Sequence, residues 1–142
     1  PRQGAITDIF AYTPEQIRSL SFYDPAQVPE FDELYGAEPT ERMRAIQVRN
    51  REMAKRLTGN PYMHNPQLPY FLPRVTVPTL ILWGRNDGIL PVICGQQYQE
   101  LLPNARLHIF EKCGHFPQLE KLEEFTRVLL PFLASHRDPH KT

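Results

Sequence analysis

The run Val75-Thr76-Val77-Pro78-Thr79-Leu80-Ile81-Leu82-Trp83, leading into Gly84-Arg85-Asn86-Asp87, constrains this chain more than any other stretch. It is dense in Val, Leu and Ile and does not alternate with polar residues. That pattern predicts a parallel strand covered on both faces. The strand ends in a turn that presents one carboxylate. Downstream, Ala105-Arg106-Leu107-His108-Ile109-Phe110-Glu111-Lys112-Cys113-Gly114-His115 repeats the design and ends in an imidazole. Pro91 opens a helix between them, with Cys94, Tyr98 and Leu101 on one side, and Pro103-Asn104 breaks it. After the second strand, Leu122, Phe125, Val128, Leu129, Phe132 and Leu133 mark an amphipathic helix. Residues 74–136 thus read strand, helix, strand, helix: two parallel strands joined by a crossover helix, an α/β arrangement. Residues 137–142 read as a polar tail.

Residues 1–73 have another texture. Most of the fifteen prolines of this 142-residue chain fall in its first ninety residues, so short helices broken by turns are expected there. Pro14–Leu20 reads as a helix with Thr13 as N-cap and Pro14 as its first residue, closed by Asp24-Pro25. A longer helix is expected from about Thr40 to Leu57, between Pro39 and Gly59. Met43, Ile46, Met53 and Leu57 form its narrow apolar stripe. Arg42, Arg44, Arg49, Arg51, Lys55 and Arg56, interspersed with Glu41 and Glu52, read as a solvated face.

Sixteen basic and sixteen acidic residues cancel, which argues against nucleic acid as the partner. Two cysteines, Cys94 and Cys113, make neither a disulfide framework nor a ligand cluster, and they fit a reducing, cytoplasmic setting. No apolar run approaches the roughly 20 residues that span a bilayer, so no membrane partner is expected. His64, His108, His136 and His140 lack metal-ligand spacing. Two parallel strands need further strands beside them. With Pro1 in place of an initiating methionine, a preceding segment of the same polypeptide is the expected supplier, and a partner chain is the alternative.

Reactive groups in open parallel sheets collect just beyond the carboxyl ends of the strands, where Asp87 and His115 both fall. Adjacent strands lie about 5 Å apart, so the two loops can bring the pair into contact. A carboxylate accepting a hydrogen bond from His115 would fix the tautomer of the ring and stabilise its imidazolium. Gly84 is expected to allow the tight exit from the first strand, and Gly114 the backbone turn before the imidazole.

Pro78–Asp87, Ile89-Leu90-Pro91, Gly114-His115-Phe116-Pro117 and Glu120 together resemble the C-terminal half of the α/β-hydrolase family. The resemblance implies a partial α/β-hydrolase fold: a helical lid over 1–73, then the last two parallel strands and their helices over 74–136. It implies Asp87 as triad acid and His115 as triad base, in the family's chain order. It implies a small-molecule substrate, with an ester or related acyl compound foremost and carbon–carbon hydrolysis of ring-cleavage products as a further use of the triad. No cofactor or metal is implied.

The sequence departs from the family pattern at one decisive point. The Gly-x-Ser-x-Gly nucleophile turn is absent, since Ser19, Ser21 and Ser135 are the only serines. The oxyanion-hole segment is absent too, and Leu122 stands where relatives often carry proline. The nucleophile is therefore expected outside this chain, which alone is expected to be inactive. An aspartate nucleophile, as in epoxide hydrolases and haloalkane dehalogenases, and a non-catalytic half-domain are the alternatives. Cys113 reads as a packing residue and Cys94 as helix core. Glu120 is expected in the first turn of the last helix, complementing its dipole. One or two of Tyr12, Tyr23, Tyr35, Tyr62 and Tyr70 are expected to reach a substrate pocket.

Overall fold

The computed structural model describes residues 6–29, 31–60 and 62–136. The expected tail at 137–142 and His140 lie outside them. Helix α1, Pro14–Ser21, starts as its sequence dictates: Thr13 Oγ1 accepts from Gln16 N and the Gln16 side chain accepts from Thr13 N, a reciprocal capping box. It ends at Ser21, with Phe22 extended, before Asp24-Pro25 is reached. Asp24 instead caps the next short turn, Pro25–Gln27, by accepting from Ala26 N. Helix α2 covers Phe31–Tyr35. Helix α3 covers Glu41–Thr58, with Thr40 Oγ1 accepting from Met43 N. Helix α4, Leu68–Phe71, continues into a 3₁₀ turn at Leu72–Arg74.

Strand β1 is shorter than the apolar run. It spans Thr79–Gly84, while Val75 and Val77 stay exposed. Pro78 explains the boundary, because it has no N–H to give a ladder; Thr79 N is the donor that opens the pairing, to Asn104 O at 3.0 Å. Helix α5, Val92–Leu101, has Pro91 as its N-cap. Strand β2, Ala105–Phe110, pairs with β1 in parallel and in register, from Thr79 opposite Ala105 to Gly84 opposite Phe110. A turn, α6, covers Pro117–Glu120, and α7 covers Leu122–Ser135.

Strand alternation sets the layers. Trp83 lies against Gly95 of α5, so the odd-numbered residues of both strands face α5. Phe110 stacks on Phe125 of α7 and His108 Nε2 meets Glu124 Oε1 at 2.8 Å, so the even-numbered residues face α7. The helices cover both faces only in part. Every β1 residue before Gly84 is half-buried, against the full burial expected from the apolar run. Among the described residues the sheet has these two strands, as expected of a partial α/β core. Among the described residues four of the six buried apolar residues, Phe22, Ile89, Phe110 and Cys113, gather near the sheet's carboxyl end, while Leu102 precedes β2 and Val28 lies in the N-terminal part. The stripe on α3 contributes nothing to them: Met43, Ile46, Met53 and Leu57 are all exposed. Among the described residues no helix is long and apolar enough to cross a membrane.

Candidate active site

The two strands end level, and their exit loops are laced together. Arg85 N donates to Phe110 O at 2.9 Å and Asn86 N to Cys113 O at 2.8 Å. This lacing requires close approach. A Cβ on Gly84 would collide with Gly114 O and lie 2.6 Å from Cys113 O. A Cβ on Gly114 would lie 2.9 Å from Phe22 Cα and collide with Ser21 O. Space, then, is what both glycines provide. A left-handed residue does occur ahead of the imidazole, at Lys112, with φ 50°.

These loops bring Asp87 and His115 together. His115 Nδ1–H donates to Asp87 Oδ2 at 2.8 Å, and the Asp87 side chain is 4% exposed. The other carboxylate oxygen, Oδ1, accepts from Ile89 N at 2.8 Å and Leu90 N at 3.0 Å. Both oxygens are thus engaged, and the carboxylate cannot turn without breaking backbone hydrogen bonds. A carboxylate acceptor assigns the ring proton to Nδ1, which leaves the Nε2 lone pair free. The bond donated to Asp87 holds the His115 pKa above the ordinary histidine range, against the opposing effect of partial burial.

The N-terminal segment braces both loops. Gly88 N donates to Leu20 O at 3.0 Å, and His115 N to Ser21 O at 2.6 Å. Thr7 Oγ1 donates to Gly88 O at 2.6 Å. The sequence gives no sign of these carbonyl acceptors, because any residue type supplies one.

Other expected residues are placed differently. Glu120 closes α6 instead of opening the last helix. Its carboxylate accepts from Gly114 N and Tyr23 N, both at 2.7 Å. Cys113 is fully buried, and burial with the nearby Glu120 charge pushes its thiol up to about 12, as befits a packing residue. Cys94 is only half-buried; with Trp83, Leu90, Tyr98 and Leu101 it lines an open cavity of about 250 Å³ that Leu68 and Leu72 also line. None of the five tyrosines singled out lines that cavity, whereas Tyr98 does. The Tyr62 hydroxyl is committed, donating to Thr7 O at 2.7 Å and accepting from Ile9 N at 3.0 Å. Arg51 is no free surface cation, since it donates to Ile9 O and Tyr12 O.

The structure thus holds a carboxylate and an imidazole in contact at the ends of neighbouring parallel strands, with the α5 crossover between them. The chain belongs to the α/β-hydrolase family: the model of the alpha/beta hydrolase fold matches residues 20–122. Among curated relatives, a 2-hydroxy-6-oxononadienedioate/2-hydroxy-6-oxononatrienedioate hydrolase from Dechloromonas aromatica is 34% identical over 120 residues, covering 84% of this chain and 40% of the relative. A protein of the same description from a Pseudomonas species is 43% identical over 65 residues, 46% of this chain and 23% of the relative. Among solved structures, the 2-hydroxy-6-oxo-6-phenylhexa-2,4-dienoate hydrolase from Rhodococcus sp. strain RHA1 superposes with a TM-score of 0.68 at 26% identity. That match covers 84% of this chain and 42% of the other. The chain therefore spans less than half the length of these relatives.

Proposed function

We propose that this chain supplies the acid and the base of a nucleophile–His–Asp hydrolase whose nucleophile lies outside these 142 residues. The observation that carries the reading is the 2.8 Å hydrogen bond between His115 Nδ1 and a buried Asp87 carboxylate with both oxygens engaged. His115 Nε2 takes the proton of the nucleophile as it attacks a carbonyl carbon, then returns it to the leaving group. Asp87 keeps Nε2 unprotonated at the start and offsets the positive charge on the ring once it has formed. Residues 1–73 act as the lid and residues 74–136 as the acid- and base-bearing part of the core. The substrate is a small acyl or aromatic compound. The names of the relatives favour a 2-hydroxy-6-oxo-dienoate; once its 2-hydroxy proton has moved to C5, attack at the 6-oxo carbon breaks the C5–C6 bond and the leaving carbon departs as a dienolate that takes the proton from His115.

The test has two arms. Alone, the 142-residue chain should hydrolyse neither an aryl ester nor a 2-hydroxy-6-oxo-dienoate above background; turnover abolished by His115→Ala would place a nucleophile within it. Joined to the nucleophile-bearing portion of the Dechloromonas relative, it should turn over the dienoate. There Asp87→Asn should lower kcat by about 10⁴, the scale of leaving a catalytic imidazole in the wrong tautomer. A joined enzyme whose kcat is indifferent to Asp87 and His115 sinks the assignment.

A further inference from the structure

One carboxylate with no part in the proton transfers sits where the N-terminal segment meets the His115 loop. Glu120 Oε2 accepts from Tyr23 N at 2.7 Å and, at 3.4 Å, from Asp24 N, while Oε1 accepts from Gly114 N at 2.7 Å. Tyr23 and Glu120 are 97 residues apart in sequence. Gly114 directly precedes His115, and His115 N itself donates to Ser21 O, two residues before Tyr23. Residues 21–24 and 113–115 therefore form one hydrogen-bonded unit, with the Glu120 side chain as its clasp.

We propose that Glu120 is a positioning residue for His115: by holding Gly114 N–H on one oxygen and Tyr23 N–H on the other, it fixes the loop that aims the imidazole at Asp87. An ionised carboxylate suits the task, since it presents acceptors on both oxygens and makes charge-assisted bonds to each. A neutral amide of the same shape has one acceptor and one donor face, so it satisfies one side and opposes the other. The groups around the clasp are compatible with its charge. Lys121 is adjacent, Glu124 lies further along, and the buried Cys113 thiol, 3.9 Å from Oε1, stays neutral. Close packing explains why a displaced Gly114 carries the imidazole with it: Gly114 lies against Phe22 Cα and beneath the end of β1. The hydrolase reading enters only in what the positioning serves, because the hydrogen bond it sets is observable without turnover.

The experiment uses the 142-residue chain and NMR. In the wild type, the His115 Nδ1–H proton should resonate far downfield, and the ring should titrate above the ordinary histidine range. Glu120→Gln should speed amide exchange at Gly114 or Tyr23 by about tenfold or more. It should also weaken the downfield signal and lower the His115 pKa toward the ordinary histidine value. Glu120→Asp keeps the charge, loses one methylene of reach and should move His115 in the same direction. Glu124→Gln, which removes the partner of His108 on the next helix, should leave His115 unchanged and so separates positioning from general loosening. Faster exchange with an unaltered His115 signal and pKa in both Glu120 variants overturns the positioning role. Unaltered exchange overturns the clasp itself. Either failure leaves the hydrolase reading standing, because that reading is tested by turnover.

Discussion

In α3, none of eighteen residues is buried, and the helix is secured by its Thr40 cap and by the reach of Arg51 to Ile9 O and Tyr12 O. At the sheet rim, a comparable number of residues holds a fully buried Cys113, a nearly buried Asp87 and two glycines that admit no side chain. Both regions are ordered, for different reasons. Helix α3 follows from local chemistry: helix-forming residues between a cap and a terminating glycine. The rim follows from contacts between residues far apart in sequence, each of which constrains the others. Substitutions should therefore be felt strongly at the rim and weakly on α3, and the comparison can be broken at either end.

The largest effect is expected at Gly84. A methyl group there meets the Gly114 and Cys113 carbonyl oxygens, which belong to backbone and cannot swing aside. Gly84→Ala should cost about 3 kcal/mol or more, read as a lower urea midpoint or as failure to fold. A wild-type midpoint would mean that the loops can separate, and the rim would then be no more constrained than α3.

Next comes Asp87→Asn, which weakens the bond to His115 and leaves backbone donors facing a neutral acceptor. A loss of about 1–2 kcal/mol is expected at pH 5. Its pH dependence follows from the sign of the His115 shift. The folded-state pKa is raised by the Asp87 bond, so the pairing favours folding with the ring protonated. That contribution is fully present below the unfolded value of about 6.5 and is lost as pH rises through the higher folded value. The gap between wild type and variant should thus narrow from pH 5 to pH 9 in urea titrations; a widening gap would contradict the assignment of the bond.

The two regions also differ in how much of them could be read from the sequence. Thr13 and Pro14 announced α1, because a cap acts on donors within three residues of itself, and Pro39 and Gly59 framed α3, whose cap is Thr40. Asp87 and His115 were legible because a strand, a glycine and a polar residue recur in order and the parallel register brings the two ends level. Glu120 was not: one of its partners is a backbone N–H 97 residues away, which leaves no trace in local pattern. The stripe of α3 was legible as a helix face but not in its exposure. Met43, Ile46, Met53 and Leu57 have helical spacing whether or not anything covers them, and periodicity reports a face without reporting its partner.

Lys112 sharpens the comparison in the other direction. It is held at φ 50°, a left-handed conformation that costs an ordinary residue about 1–2 kcal/mol and glycine little. Lys112→Gly relieves that strain but adds freedom to the unfolded chain, which costs about 0.5–1 kcal/mol. A net gain of about 0.5 kcal/mol is expected, seen as a slightly higher urea midpoint. Destabilisation by as much would show that the lysine side chain supports the His115 loop.

The smallest effect belongs to α3. Leu57, in its last turn, is 80% exposed, so replacing it with glutamine removes almost no buried apolar surface. Glutamine and leucine also have similar helix propensities, so the helix itself should be indifferent. Leu57→Gln should change the stability of the 142-residue chain by less than about 0.5 kcal/mol. The same substitution in a longer polypeptide, where another segment can lie on the Met43–Leu57 stripe, should cost more, up to the roughly 1.5–3 kcal/mol of a fully buried leucine. Measuring both separates a helix that is polar by nature from one whose apolar face is waiting for its cover. Equal, negligible effects in the two contexts would make the stripe a plain surface and leave the contrast with the rim intact.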